Sequence, residues 1–158
     1  MDSLPLFHSW PLFDAATRIG LERFEGVAAP DTDWDGLYAS ARAKGLGIWA
    51  CDLQDNSLLW SPEVYELFGI SPDEQLTRSL AVSCYAPRSR AAMESLRAHA
   101  IDHRRGFTMD AMIRSHNGDT RWMRLSAMPL IAQGKVVRLF GTKQDVTVEY
   151  DGPDWKSL

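Results

Sequence analysis

FTMDAMIRSHNGDTRWMRLSAMPLI, residues 107–131, decides the fold. Phe107, Met109, Ala111 and Ile113 alternate with mostly polar neighbours, the period of a strand with one buried face. HNGD at 116–119 is a hairpin turn. The returning TRWMRLSAMPLI puts Met123, Leu125 and Ala127 on one face and Trp122 and Met128 on the other. Beyond it, a QG turn at 133–134 leads into a last strand, KVVRLFGTKQDVT, at 135–147. On the N-terminal side, Ala92, Met93, Leu96 and Ala100 recur at helical steps and predict a helix from about Pro87 to His103, broken by Gly106. Further back, GIWACDL, QDN and SLLW read as a hairpin over 47–60.

Between hairpin and long helix lies helical punctuation. Ser61 and Pro62 form an N-cap and first-turn pair, Val64, Leu67 and Phe68 supply an apolar face, and Gly69 stops that short helix. Ser71 and Glu74 stand at capping-box spacing and predict a second one. Two strands, a helical block and three strands predict an α+β fold, a five-stranded antiparallel sheet with helices on one face. Residues 1–44 read as an N-terminal helical extension, a cap or dimerisation element. Its helical pieces at about Phe13–Phe24 and Asp33–Lys44 flank a turn-rich joint, GVAAPDTD, and Gly45 ends the second. The compact unit spans 45–147. Residues 148–158 are a tail or the start of a linker, in which Gly152 and Pro153 discourage a continuing helix.

A chain of 158 residues, 45% hydrophobic and 24% charged, with six Trp and six Phe, can bury one real core. The net charge of -4 gives no cation field for nucleic acid or anionic lipid, so neither is an expected partner. Two unpaired cysteines, Cys51 and Cys84, suit a reducing cytoplasm. MDSLPLFHSWPLF at 1–13 has no basic leader and is broken by Pro5 and Pro11, so it reads as neither signal peptide nor membrane span.

In this order and spacing, four segments resemble the PAS family, in particular its bacterial sensor-kinase-like branch. They are GIWACDLQDNSLLWSPEVYELFGISPDE at 47–74, the helix after YAPRSRAAM at 85–93, FTMDAMIRSHNGDTRWMRL at 107–125, and LFGTKQDVT at 139–147. The last closes on Asp145, Val146 and Thr147, similar to the family's aspartate-aliphatic-threonine ending. The resemblance implies a sheet cupped around a cavity, with the helix near 87–103 as its far wall. Relatives fill that cavity with haem, flavin or small metabolites, or leave it apolar and act as dimerisation and relay domains. A sensory signalling module is therefore expected, acting on an attached or partner effector, with a ligand-free interaction domain as the alternative.

The residues themselves nominate Met93, Leu96, Phe107, Met109, Met123 and Leu125 as facing one another, either as plain core or as pocket lining. Lys143 stands in the last strand where an apolar residue is usual, which leaves the polarity of the pocket open. The flavin-type cysteine segment is not matched, because Cys84 in SCYAPR sits too close to the next helix; both cysteines read as small buried hydrophobes. In the haem-binding oxygen sensors of the family an axial histidine lies on the helix wall shortly before the next strand, so the resemblance implies His103, which falls within about 20° of Leu96 on a continuous helix, as the candidate axial ligand for a haem. No phosphate loop, metal-ligand cluster or nucleophile motif occurs, and Asp52, Asp55, Asp110 and Asp145 read as solvated or capping carboxylates. An enzyme is not expected. Trp122, facing away from the cavity, needs a cover. With Met128 and with Phe13, Ile19 and Phe24 of the extension, it forms the candidate interface of a homodimer. The resemblance further implies that Asp145 and Thr147 mark the strand end that would transmit a signal.

Overall fold

A computed structural model describes residues 7–10 and 34–150. Its described strands form a single antiparallel sheet: β1 (Phe7–Trp10), β2 (Gly47–Asp52), β3 (Leu58–Trp60), β4 (Gly106–Arg114), β5 (Thr120–Ala132) and β6 (Lys135–Asp145). In space the order is β1-β4-β5-β6-β2-β3. Helices α1 (Trp34–Ala43), α2 (Pro62–Phe68), α3 (Arg78–Ser83) and α4 (Pro87–His103) complete the unit. The five strands expected within 45–147 are present, and α4 has the predicted bounds.

The hairpin that decides the fold forms because each of its two ends has suitable turn chemistry. Between β4 and β5, Gly118 takes φ 90°, and the Ser115 amide donates to the Asp119 carbonyl at 2.8 Å. Between β5 and β6, Gln133 and Gly134 both take positive φ, as a two-residue hairpin loop requires. The pairing then runs Phe107 opposite Ala127, Leu125 opposite Lys143, and Gly47 opposite Lys143. Gly141 permits the close approach of β5: a Cβ there would lie 1.9 Å from the Ser126 carbonyl oxygen. Odd-numbered residues over 107–113, 123–127 and 139–143 face the helices. Met109, Ala111, Ile113, Met123 and Ala127 are completely buried there with Phe68 and Val64. Each fully buried large side chain contributes roughly 1.5–3 kcal/mol.

Four expectations need correction. The N-terminal extension is not wholly helical, because Phe7–Trp10 pairs with β4, Phe7 opposite Met109 and Trp10 opposite Gly106. In the sequence, prolines at 5 and 11 stand on either side of these four residues. The predicted first helical piece, about Phe13–Phe24, lies outside the described residues. Secondly, no helix starts at Ser71. Its hydroxyl accepts from the Asp73 amide at 3.2 Å and closes a local turn, and the second short helix begins after Thr77, whose hydroxyl accepts from the Leu80 amide at 3.1 Å. Thirdly, β4 is buried on both faces: Thr108 and Asp110 are 1% and 4% exposed. Asp110 is therefore not a solvated carboxylate, and both its oxygens accept from Arg124, at 2.8 and 3.1 Å. Lastly, Ser61 occupies the N-cap of α2 but spends its hydroxyl on the Ile48 amide at 2.9 Å, tying the helix to β2. Gly69 ends α2 in the left-handed conformation, as expected.

Candidate functional site

Inward-facing residues of the sheet and two helices enclose a cavity of about 50 Å³, room for a few water-sized groups. Trp49 and Cys51 of β2, Phe107 of β4, Leu125 of β5 and Leu139 of β6 form its apolar floor. Ala81 and Val82 of α3 with Tyr85 and Met93 form the opposite wall. Three cations complete the lining: Arg78, Arg97 and Lys143.

Lys143 is the anomaly. It is 7% exposed, and the strand alternation that buries Leu125 opposite it also turns its side chain inward. Its ammonium lies 5.2 Å from the Trp49 ring centroid, 5.3 Å from Trp60 and 4.8 Å from Phe68, an aromatic cage assembled by β2, β3 and α2. Among the described residues no carboxylate pairs with it. Burial pushes its pKa down to about 7, against a smaller opposing influence of Cys51 and Cys84. Burial likewise pushes both thiols and the Tyr85 hydroxyl up. Beside the cage, the Trp60 indole nitrogen is buried with no hydrogen-bond partner. The two arginines are half-buried and engaged at the rim: Arg78 with Glu94, and Arg97 with the Asn56 side chain at 3.1 Å.

Of the residues nominated from sequence, Met93, Phe107 and Leu125 line the cavity. Met109 and Met123 are fully buried in the surrounding core, and Leu96 packs against it from a half-buried position. His103 is corrected. It is exposed at the last turn of α4, stacked on His99 with centroids 4.2 Å apart, and its Nδ1 lies 3.2 Å from the His99 carbonyl. Leu96 lies at the edge of the buried stripe, so a position 20° further round faces water. The residues present do not fit a haem: the nominated ligand points away, and the cavity is far smaller than a porphyrin. Among the described residues no cluster of three or more His, Cys, Asp or Glu is placed to hold a metal ion. Sequence reasoning missed the cage, since Trp49, Trp60 and Phe68 belong to three elements; the lysine itself was its visible signal.

The end of β6 is tied to the start of β5. The Asp145 carboxylate accepts from the Thr147 amide at 2.9 Å and from its hydroxyl at 2.5 Å. The same hydroxyl oxygen accepts from the Trp122 amide at 3.0 Å, and the Val146 amide donates to the Trp122 carbonyl at 2.8 Å. An aspartate and a threonine two residues apart thus make a clasp. Tyr150 stacks on Trp122 with centroids 3.5 Å apart, over Met112 and Val146. Met128, opposite Phe140, is 4% exposed. Phe13, Ile19 and Phe24 lie outside the described residues. No described helix is long and apolar enough to cross a membrane.

Comparison with known proteins agrees with this geometry. The sequence pattern of the PAS fold matches residues 57–143, more than half of the chain. The probable diguanylate cyclase DgcE of Escherichia coli (strain K12) is 28% identical over 105 residues, covering 66% of this chain and 10% of that protein. The chain thus spans about a tenth of the length of this curated relative. Among solved structures, a sensory box histidine kinase/response regulator from Burkholderia thailandensis E264 superposes with a TM-score of 0.61 at 21% identity, over 70% of this chain and 84% of that one. The N-terminal domain of a diguanylate cyclase with PAS/PAC sensor from Marinobacter aquaeolei gives 0.61 at 15% identity, over 66% and 97%.

Proposed function

Because this chain belongs to the PAS fold family, we propose that it is a signalling module that takes a small molecule into the cavity and reports its presence to an effector through the end of β6. The observation that carries this reading is the buried, unpaired Lys143 in the cavity wall, an arrangement a plain core has no reason to keep. Lys143 and Asp145 sit two residues apart on one strand, so a ligand that moves the first also strains the clasp that holds Thr147 to Trp122. The effector is of the kinase or cyclase kind found with the relatives, in the same chain or a partner. The module performs no chemistry of its own.

Native mass spectrometry of the purified chain, with a thermal-shift screen of a metabolite mixture, tests this. At least one small molecule should raise Tm in proportion to the logarithm of its concentration. Ala81→Leu, which fills the cavity, should abolish that rise. A fully folded protein that no compound stabilises would contradict the reading and leave the ligand-free interaction domain.

A further inference from the structure

We propose that the cavity is built for a small organic anion, a monocarboxylate with a short apolar tail, whose carboxylate takes up the unpaired charge of Lys143. This rests on the ligand-binding reading above and adds the chemical class.

The lining divides by chemistry. Its floor and far wall are hydrocarbon and aromatic, while its charged members are all basic: Lys143 from the sheet, Arg78 from α3 and Arg97 from α4. Arg78 is already neutralised by Glu94, and Arg97 is held by a neutral amide. That leaves Lys143 and Arg97 with charge to offer to a guest, and among the described residues no acidic side chain in the lining to compete for them. The three rings around Lys143 lower the cost of its charge but accept no full hydrogen bond, so its three N–H donors stay open. A cation, or a neutral apolar guest, would deepen the electrostatic cost that an anion relieves. The size fits a guest of about five heavy atoms.

The same geometry predicts the pH response. The titratable groups packed around Lys143 are Cys51 from β2, Cys84 after α3 and Tyr85 before α4, with Arg78 and Arg97 as fixed charges. Burial holds both thiols and the phenol above their ordinary values. Lys143 therefore changes charge first as pH rises from about 6 to 9, and anion affinity falls with it.

The test follows the methyl resonances of Met93 and Leu125 by NMR as sodium propionate, and separately propionamide, is titrated into the full chain in the millimolar range. Propionate should saturate at about pH 6, bind at least about tenfold more weakly at about pH 9, and bind at least about tenfold more tightly than its neutral isostere. Lys143→Met should remove the preference for propionate. Equal binding of acid and amide, or an undiminished preference in the variant, would overturn the anionic class. If a neutral compound from the metabolite screen fills the cavity while propionate does not, the sensory reading stands and this inference falls. If nothing enters the cavity, both fall. The acid–amide comparison needs no variant, so a K143M protein that failed to fold would not shield the proposal.

Discussion

On the outer face of the sheet the buried Asp110 has both carboxylate oxygens on Arg124, and at the end of β6 the amide and hydroxyl of Thr147 both donate to Asp145. On the inner face Lys143 is also buried, with three aromatic rings for company and, among the described residues, no counterion, beside an indole nitrogen with no hydrogen-bond partner. A chain that satisfies its polar groups on one face has the means to do so on the other. The difference teaches where stability has been set aside: Asp110 is satisfied within the chain, whereas the cavity keeps an ammonium that the proposed guest would satisfy.

The strongest way to break the comparison is to remove the charge. Lys143→Met should raise the unfolding free energy by about 3 kcal/mol near pH 6. The sign follows from linkage. The folded-state pKa, about 7, lies below the ordinary 10.5, so the unfolded chain binds more protons between those values. Wild-type stability therefore climbs as pH rises through that window, and the variant's advantage fades toward its upper end. Urea titrations at several pH values check this; an equal or smaller midpoint for the variant at pH 6 would show that the ammonium is already satisfied.

Next in size, Asp110→Ala should cost about 2 kcal/mol, because it leaves Arg124 without its bidentate partner beside a buried strand. The opposite signs of these two charge removals, measured by the same denaturation, are the comparison in its sharpest form. Tyr150→Ala should cost about 1 kcal/mol by losing the stack on Trp122. Thr147→Val should cost about the same or less, and its larger consequence is on coupling. Ligand would still bind, but the amides of residues 145–150 should no longer change their hydrogen exchange when it does.

How much of this was readable beforehand depends on whether the cause was local. The hairpin at 107–131 and the long helix were legible because alternation and helical spacing run through many residues with clear turn signals. The edge strand Phe7–Trp10 was not, since four residues between prolines carry too little period to outweigh their breakers. The false helix at Ser71 had the better capping-box letters, while the real one uses Thr77 with no acidic partner three residues on. His103 shows the limit of angular arguments on a helix: Leu96 marks the edge of the buried stripe, and only the packing of α4 on the sheet fixes which side of that edge is dry. For the site, half of the nominated lining reaches the cavity, and Lys143 was visible as an ill-fitting residue. Its cage was not, because it depends on Trp49, Trp60 and Phe68 converging from separate elements.

The most direct test of the account is the titration of Lys143 itself, followed by NMR on side-chain-labelled lysine in the ligand-free chain. The account predicts a midpoint near 7, moving upward when propionate is bound. A midpoint at the ordinary lysine value, unmoved by the anion, would mean that the ammonium reaches water, and the claim of an unfinished cavity would fail.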